Sequence, residues 1–248
     1  MIMKKNFKLI IEYDGTHFHG WQFQKNDPTI QAAIEKALST MTGQQIRLNG
    51  AGRTDAGVHA VGQVANFHCD TRLEADELQK GLNSLLPPDI VIRKCEIVNS
   101  SFHARFDARG KRYRYSILNQ ALPSAIGRRY AWFLRQPLDI SSMQAALKQF
   151  VGRHGFSAFE GSGSPRAHSI RTITRAELRS VESNRLEITV TADGFLRYMV
   201  RNIVGTTVAV GAGKIEVSAV SEILESGDRS QAAPTAPPHG LCLMEVTY

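Results

Sequence analysis

Apolar and polar residues alternate over residues 7–13, the period of a half-buried strand. A loop with two histidines and Trp21 follows, residues 14–24. Over residues 29–41 the period changes to that of a helix. Ile30, Ile34, Ala37, Leu38 and Met41 fall on one face, and Pro28 and Thr29 suit its start. Residues 46–48 and 63–69 read as strands. Residues 74–86 read as a second helix with Leu78, Leu82, Leu85 and Leu86 inward, stopped by Pro87 and Pro88. Residues 90–98 form an apolar strand. Strand, helix, strand, strand, helix, strand is the split βαβ, ferredoxin-like order.

The second half has a similar rhythm. Residues 109–118 read as a strand. A basic segment follows, with Arg128, Arg129 and Arg135 around Trp132 and Phe133. Asp139 or Ser141 caps a helix carrying Met143, Ala146, Leu147, Phe150 and Val151. After a glycine-serine loop at 161–165, strands at 173–181 and 186–192 form a hairpin around Ser183-Asn184. A helix over 195–210 turns Phe195, Met199, Ile203, Thr206 and Val210 inward. A shorter helix over 218–224 ends near Gly227, and a proline-rich loop at 233–238 leads into a last strand at 241–248. The expected fold class is α+β: two ferredoxin-like halves, 1–105 and 106–248, with a mainly antiparallel sheet and a cleft between them. No sequence identity links the halves, so the repeat rests on element order.

The 248 residues suffice for one large or two small cores, and the 42% apolar fraction is that of a globular protein. The longest apolar run, 203–212, is about half of the ~20 residues that a membrane span needs. The apolar run at 9–11 is too short for a signal peptide. Cys69, Cys95 and Cys242 lie far apart and form no metal or disulfide pattern, which fits a reducing cytoplasm. His17 and His19 lack a nearby third ligand, so no metal is expected. A net charge of +7 points to a polyanionic partner.

The densest chemistry lies in Asn-Gly-Ala-Gly-Arg-Thr-Asp-Ala-Gly-Val-His-Ala, residues 49–60. Three glycines surround Arg53 and Asp55, which reads as a tight loop carrying a charged pair. Glycine permits close backbone approach there. On spacing alone a plain connecting turn is the better reading. A second constellation is Gly-Lys-Arg-Tyr-Arg-Tyr, residues 110–115. On a strand, Lys111, Tyr113 and Tyr115 share one face and Arg112 and Arg114 the other. Tyrosines packed into the core and tyrosines offered to a base explain it equally well. A third is Phe195 to Gly205, where Arg197 and Arg201 stand four apart on the expected helix. A sheltered Arg201 needs a carboxylate or phosphate; Asp55 is one candidate, and a solvated arginine is the plain alternative. The chain has no Walker loop, no dinucleotide fingerprint, no Gly-x-Ser-x-Gly and no His-Glu-x-x-His.

Gly-Arg-Thr-Asp-Ala-Gly-Val-His-Ala, residues 52–60, resembles the signature of the tRNA pseudouridine synthase A family. Other blocks agree in order: Tyr-Asp-Gly-Thr-x-Phe-x-Gly-Trp-Gln at 13–22, Lys-Arg-Tyr-Arg-Tyr at 111–115, Arg-Thr-Ile at 171–173, Met-Val-Arg-Asn-Ile-Val-Gly at 199–205 and Ala-Pro-x-x-Gly-Leu-x-Leu at 236–243. The resemblance covers nearly the whole chain. One departure is His154-Gly155-Phe156, where the family often has His-Asp-Phe.

The resemblance implies that Asp55 is the essential aspartate, that Tyr113 contacts the target base, and that Arg201 pairs with the aspartate. Arg53 is a substrate-binding candidate beside them. It implies a pseudouridine synthase fold with a central basic cleft, transfer RNA modified at uridines 38 to 40 of the anticodon arm, no cofactor, and a cytoplasmic homodimer without membrane association. Such an isomerisation breaks the N-glycosidic bond, turns the uracil and joins C5 to the ribose. It needs one carboxylate as nucleophile or base and a pocket for the detached base. An adjacent arginine favours the ionised carboxylate. A non-catalytic RNA-binding module of two RRM-like halves is the alternative, although the RRM strand motif is absent. A nucleoside hydrolase using Asp55 is a third reading.

Overall fold

The computed structural model describes residues 4–161, 168–182 and 184–248. Its chain divides into two units, Met1–Arg109 with Cys242–Tyr248, and Gly110–Leu241. Most of the expected 161–165 loop, and Ser183 of the expected hairpin turn, lie outside the described residues.

In the first unit β1 (Lys5–Tyr13) is the central strand. Phe7, Leu9, Ile11 and Tyr13 alternate inward, and β1 pairs antiparallel with β3 (His59–Cys69) on one side and β4 (Ile90–Val98) on the other. Phe7 and Phe67 stack across the β1–β3 pair with ring centroids 5.3 Å apart. The short β2 (Asn49–Gly50) lies on the far side of β3, so the order is β4–β1–β3–β2. The strand expected at 46–48 is therefore displaced onto residues 49 and 50. Gly50 allows it, because the Trp21 indole lies where a Cβ would stand.

Helix α1 (Ile30–Thr42) begins at Thr29, whose hydroxyl accepts from the Ala32 amide, and ends at Gly43 with φ 68°. Helix α2 (Ala75–Leu85) opens with a reciprocal Glu74–Glu77 capping box. Leu78 and Leu82 are buried as expected. Leu85, also expected inward, is 48% exposed, and Leu86 has left the helix in extended conformation.

The second unit builds the antiparallel run β7–β8–β9–β5 from β5 (Gly110–Asn119), β7 (Gly152–Gly155), β8 (Ile170–Glu182) and β9 (Arg185–Ala192). A short β6 (Trp132–Leu134) pairs in parallel with β5. Both β6 and β7 escaped the sequence reading, being too short to show a period. Helix α3 (Ile140–Gln149) is capped by Asp139 and buries Met143, Ala146 and Leu147. Val151, expected to follow them inward, is exposed, because the chain turns at Gly152 with φ 120°.

Helix α4 (Met199–Gly211) is buried on nearly every side, and α5 (Ala219–Ser226) ends at Gly227. The expected helix over 195–210 thus starts four residues late. Tyr198 sits in the left-handed region, and Arg197 and Tyr198 lie in a turn ahead of the helix, so Arg197 does not share a helical face with Arg201. The last strand, β10 (Leu241–Thr247), pairs in parallel with His59 and Ala60 of β3. The reading that ran the second half to 248 is corrected here. Residues 242–248 belong to the first unit, where Gly62 lets the Met244 carbonyl lie against β3 and the Tyr248 hydroxyl donates to Ala104 O at 2.8 Å.

Leu82→Ala should cost about 2–5 kcal/mol of stability and Leu85→Ala under about 1 kcal/mol, as measured by denaturant unfolding. Equal losses would place Leu85 in the core.

Candidate active site

The residues 49–60 loop is held by backbone bonds at almost every step. The Ala51 amide donates to Val64 O (2.7 Å), and Gln63 Nε2 donates to Gly52 O (2.9 Å). The Trp21 amide donates to Thr54 O (3.1 Å), the Val58 amide to Asp55 O (3.1 Å) and the Gly57 amide to Phe18 O (3.3 Å). Beneath it, Thr54 Oγ1 and the Tyr13 hydroxyl share a buried hydrogen bond of 2.8 Å. Burial pushes the Tyr13 hydroxyl far above its ordinary range, so it stays neutral and keeps its donor proton. Tyr13 reaches this position beside a bulge in the β1–β3 pairing between Ile11 and Tyr13.

Two glycines of the 14–24 loop bring that segment against the first. A Cβ on Gly15 would stand 2.0 Å from Val58 O, and one on Gly20, whose φ is 89°, 2.5 Å from Thr54 O. His59 Nδ1 lies 3.1 Å from the Gly15 amide and 3.0 Å from Asp14 Oδ1. Unprotonated, that nitrogen accepts from Gly15; protonated, it donates to Asp14.

On this base Asp55 is half-buried and Arg53 is exposed. The Arg53 guanidinium turns to Gln22, with Nε donating to Oε1 at 3.0 Å. His17 and His19 are exposed, and His19 faces Asp27 at 3.4 Å. Among the described residues, no three His, Cys, Asp or Glu side chains are grouped so as to hold a metal ion. Burial raises the thiol pKa of Cys69 and pushes that of Cys95 to about 12, which leaves both unreactive. Among the described residues no helix is long and apolar enough to cross a membrane.

Tyr113 and Arg201 lie in the second unit. Tyr113 on β5 is 6% exposed and meets the Phe195 ring edge-on at 5.0 Å. Tyr115 is fully buried and donates its hydroxyl to Pro237 O at 2.8 Å, so that tyrosine is core. Arg201 stands in the first turn of α4, half-buried, and its Nε donates to Ala236 O at 2.7 Å. The Ala236 amide returns a bond to Arg201 O (3.1 Å), which ties residues 233–237 along the helix as a strap. Gly205 makes room for it, since a Cβ there would stand 2.1 Å from Pro234 O. The buried Asn202 accepts from both Arg229 (3.1 Å) and Thr235 (2.6 Å), fixing the strap from the next position along. A cavity of about 730 Å³ lies further along α4, lined by Trp132, Phe133, Arg135, Lys214 and the strap's Ala233 and Pro234, and it includes none of the four candidate residues.

Sequence reasoning missed the supporting groups: Tyr13, Thr54 and Gln63 below the loop, and Asn202, Arg229 and Thr235 behind Arg201. Their only signal was membership of the quoted motif blocks or nearness to them.

The loop thus presents a half-buried carboxylate on backbone that is hydrogen-bonded on both sides of it. The family model described as tRNA pseudouridine synthase matches residues 9–107 and 146–248. Proteins named tRNA pseudouridine synthase A align with 98% of this chain and 100% of their own lengths, at 49% identity in Acetivibrio thermocellus, 48% in Geotalea daltonii and 46% in a Thermoanaerobacter species. The chain belongs to the tRNA pseudouridine synthase family, a family of isomerases.

Gly43→Ala, which meets open space at φ 68°, should cost about 1–2 kcal/mol from backbone strain alone. Gly20→Ala carries the strain and the clash together and should cost more; equal midpoint shifts in urea would show that the 14–24 loop yields without resistance.

Proposed function

We propose that this protein isomerises uridine to pseudouridine in tRNA, at positions 38, 39 and 40 of the anticodon stem-loop, with Asp55 as the nucleophile or base. The observation that carries the reading is Asp55 itself: a half-buried carboxylate at the tip of a loop whose neighbouring backbone is hydrogen-bonded on both sides. The reaction is redox-neutral and adds no group. A rigidly held acid and a site that retains the freed uracil are what it asks of the protein.

In this proposal Arg201 holds the aspartate ionised and Arg53 binds the RNA backbone. Tyr113 touches the target base, through the ring edge that its slight exposure leaves rather than through an open stacking face. Extruding the base costs about a few kcal/mol, which these contacts offset. The two units act as ferredoxin-like halves in a basic cleft, a view supported by the β4–β1–β3–β2 order. The working form is a cytoplasmic homodimer that uses no cofactor.

Anticodon-arm transcripts bearing uridine at each of the three positions should gain a product of unchanged nucleotide mass that stops reverse transcription after carbodiimide treatment. Loss of base mass would indicate hydrolysis, and binding without product would indicate an RNA-binding module. Arg201→Lys should lose most, though not all, of its turnover, because a point charge replaces a planar fork. A wild-type rate in that variant would remove Arg201 from the chemistry.

A further inference from the structure

Among the described residues, Tyr198 is the one non-glycine with positive φ (62°, with ψ 0°). It stands just before α4, and its carbonyl accepts from the Asn202 amide at 2.9 Å, so the left-handed residue itself launches the helix that carries Arg201. Strained backbone of this sort persists where its surroundings over-determine it. Here they are two arginines and a glycine. The guanidinium carbons of Arg197 and Arg201 lie 4.7 and 5.0 Å from the centre of the Tyr198 ring, within cation–π range. Arg197 Nη2 also donates to the Tyr198 hydroxyl at 3.0 Å. Gly161 closes against the ring: a Cβ there would stand 2.3 Å from Cδ2, while the Gly161 amide donates to Arg197 O at 2.8 Å.

Resting on the reading that Arg201 serves the reaction, we propose that Tyr198 is its positioning residue, with the aromatic face setting the plane of the Arg201 guanidinium. The Nε–H is committed to Ala236 O. With that bond and the ring both fixed, the direction in which Nη1 and Nη2 point is fixed too. The left-handed backbone is what brings a side chain from the residue before the helix back over its first turn. Arg197 packs on the same ring, and Gly161 supplies the space the ring occupies. The electrostatics favour the arrangement because the ring face is negative.

The test measures single-turnover rate and transcript affinity on an anticodon-arm RNA for the wild type, Arg201→Ala, Tyr198→Phe, Tyr198→Gly and the Tyr198→Gly/Arg201→Ala double variant. Glycine suits the left-handed backbone, so Tyr198→Gly removes the ring while relieving strain. Its rate should fall about 10- to 100-fold with affinity within about threefold, as for a misaimed group. Tyr198→Phe keeps the ring face and should restore most of the rate. In the Arg201→Ala background the Tyr198→Gly change should add no further loss. A wild-type rate in Tyr198→Gly, a loss in Tyr198→Phe as deep as in Tyr198→Gly, or losses that multiply in the double variant would overturn the role. Should Tyr198→Gly not fold, Tyr198→Asn, which also tolerates this backbone, carries the same expectations. Failure of the underlying reading looks different: a wild type that makes no pseudouridine, or Arg201→Ala at full rate, overturns the reading and this role with it.

Discussion

Everything proposed for the first unit depends on backbone meeting backbone without side chains between. The 14–24 loop reaches the 49–60 loop because Gly15 and Gly20 have no Cβ where Val58 O and Thr54 O stand. That contact puts the Trp21 amide on Thr54 O and the Gly57 amide on Phe18 O. It leaves the Tyr13 hydroxyl directly below Thr54. Asp55 is thereby carried on a segment hydrogen-bonded at Ala51, Thr54, Gly57 and Val58, so its side chain is aimed by the fold rather than by its own rotamer alone. In the proposed reaction, preorganisation of this kind is what lets a single carboxylate suffice, since the entropy of aiming it is lost on folding and not during the reaction.

The second unit uses the same device around a different charge. Gly205 admits the Pro234 carbonyl, the strap closes on Arg201 through Ala236, and the buried Asn202 secures Arg229 and Thr235 behind it. Helix α4 owes its small residues to this crowding: where a strap and a neighbouring helix both approach, Gly205 and Gly211 stand in place of larger apolar residues. The cost is a helix with weak intrinsic propensity, offset by burial on nearly every side. The basic net charge fits a polyanionic substrate, but the fold spends its precision on the two segments that carry Asp55 and Arg201.

The long elements were legible because they run through several periods. Residues 7–13, with Phe7, Leu9 and Ile11 alternating, could be little else, and Thr29 marks the start of α1. The segment carrying Arg53 and Asp55 was legible as a tight glycine-rich loop; on spacing alone it read as a plain turn, and the other motif blocks are what singled out its charged pair. What was not legible follows from physics that no local window holds. Leu85 sits at helical spacing from Leu78 and Leu82, yet α2 ends there and its side chain meets solvent. Residues 195–198 continue the helical apolar pattern, yet Tyr198 takes a left-handed conformation because of partners as distant as Gly161. The last strand belongs to the first unit through a parallel pairing with His59 and Ala60 that sequence order conceals. The Tyr13–Thr54 bond spans forty-one positions and has no sequence signature of its own.

The central claim is that the Asp55 carboxylate performs the isomerisation. The most direct measurement is release of tritium from C5-labelled uridine in an anticodon-arm transcript, with wild-type protein and with Asp55→Asn, alongside retention of the transcript by each. The account predicts release by the wild type and none by the variant, with transcript affinity kept within a few fold because binding rests on many phosphate contacts. Continued release from the variant would contradict it.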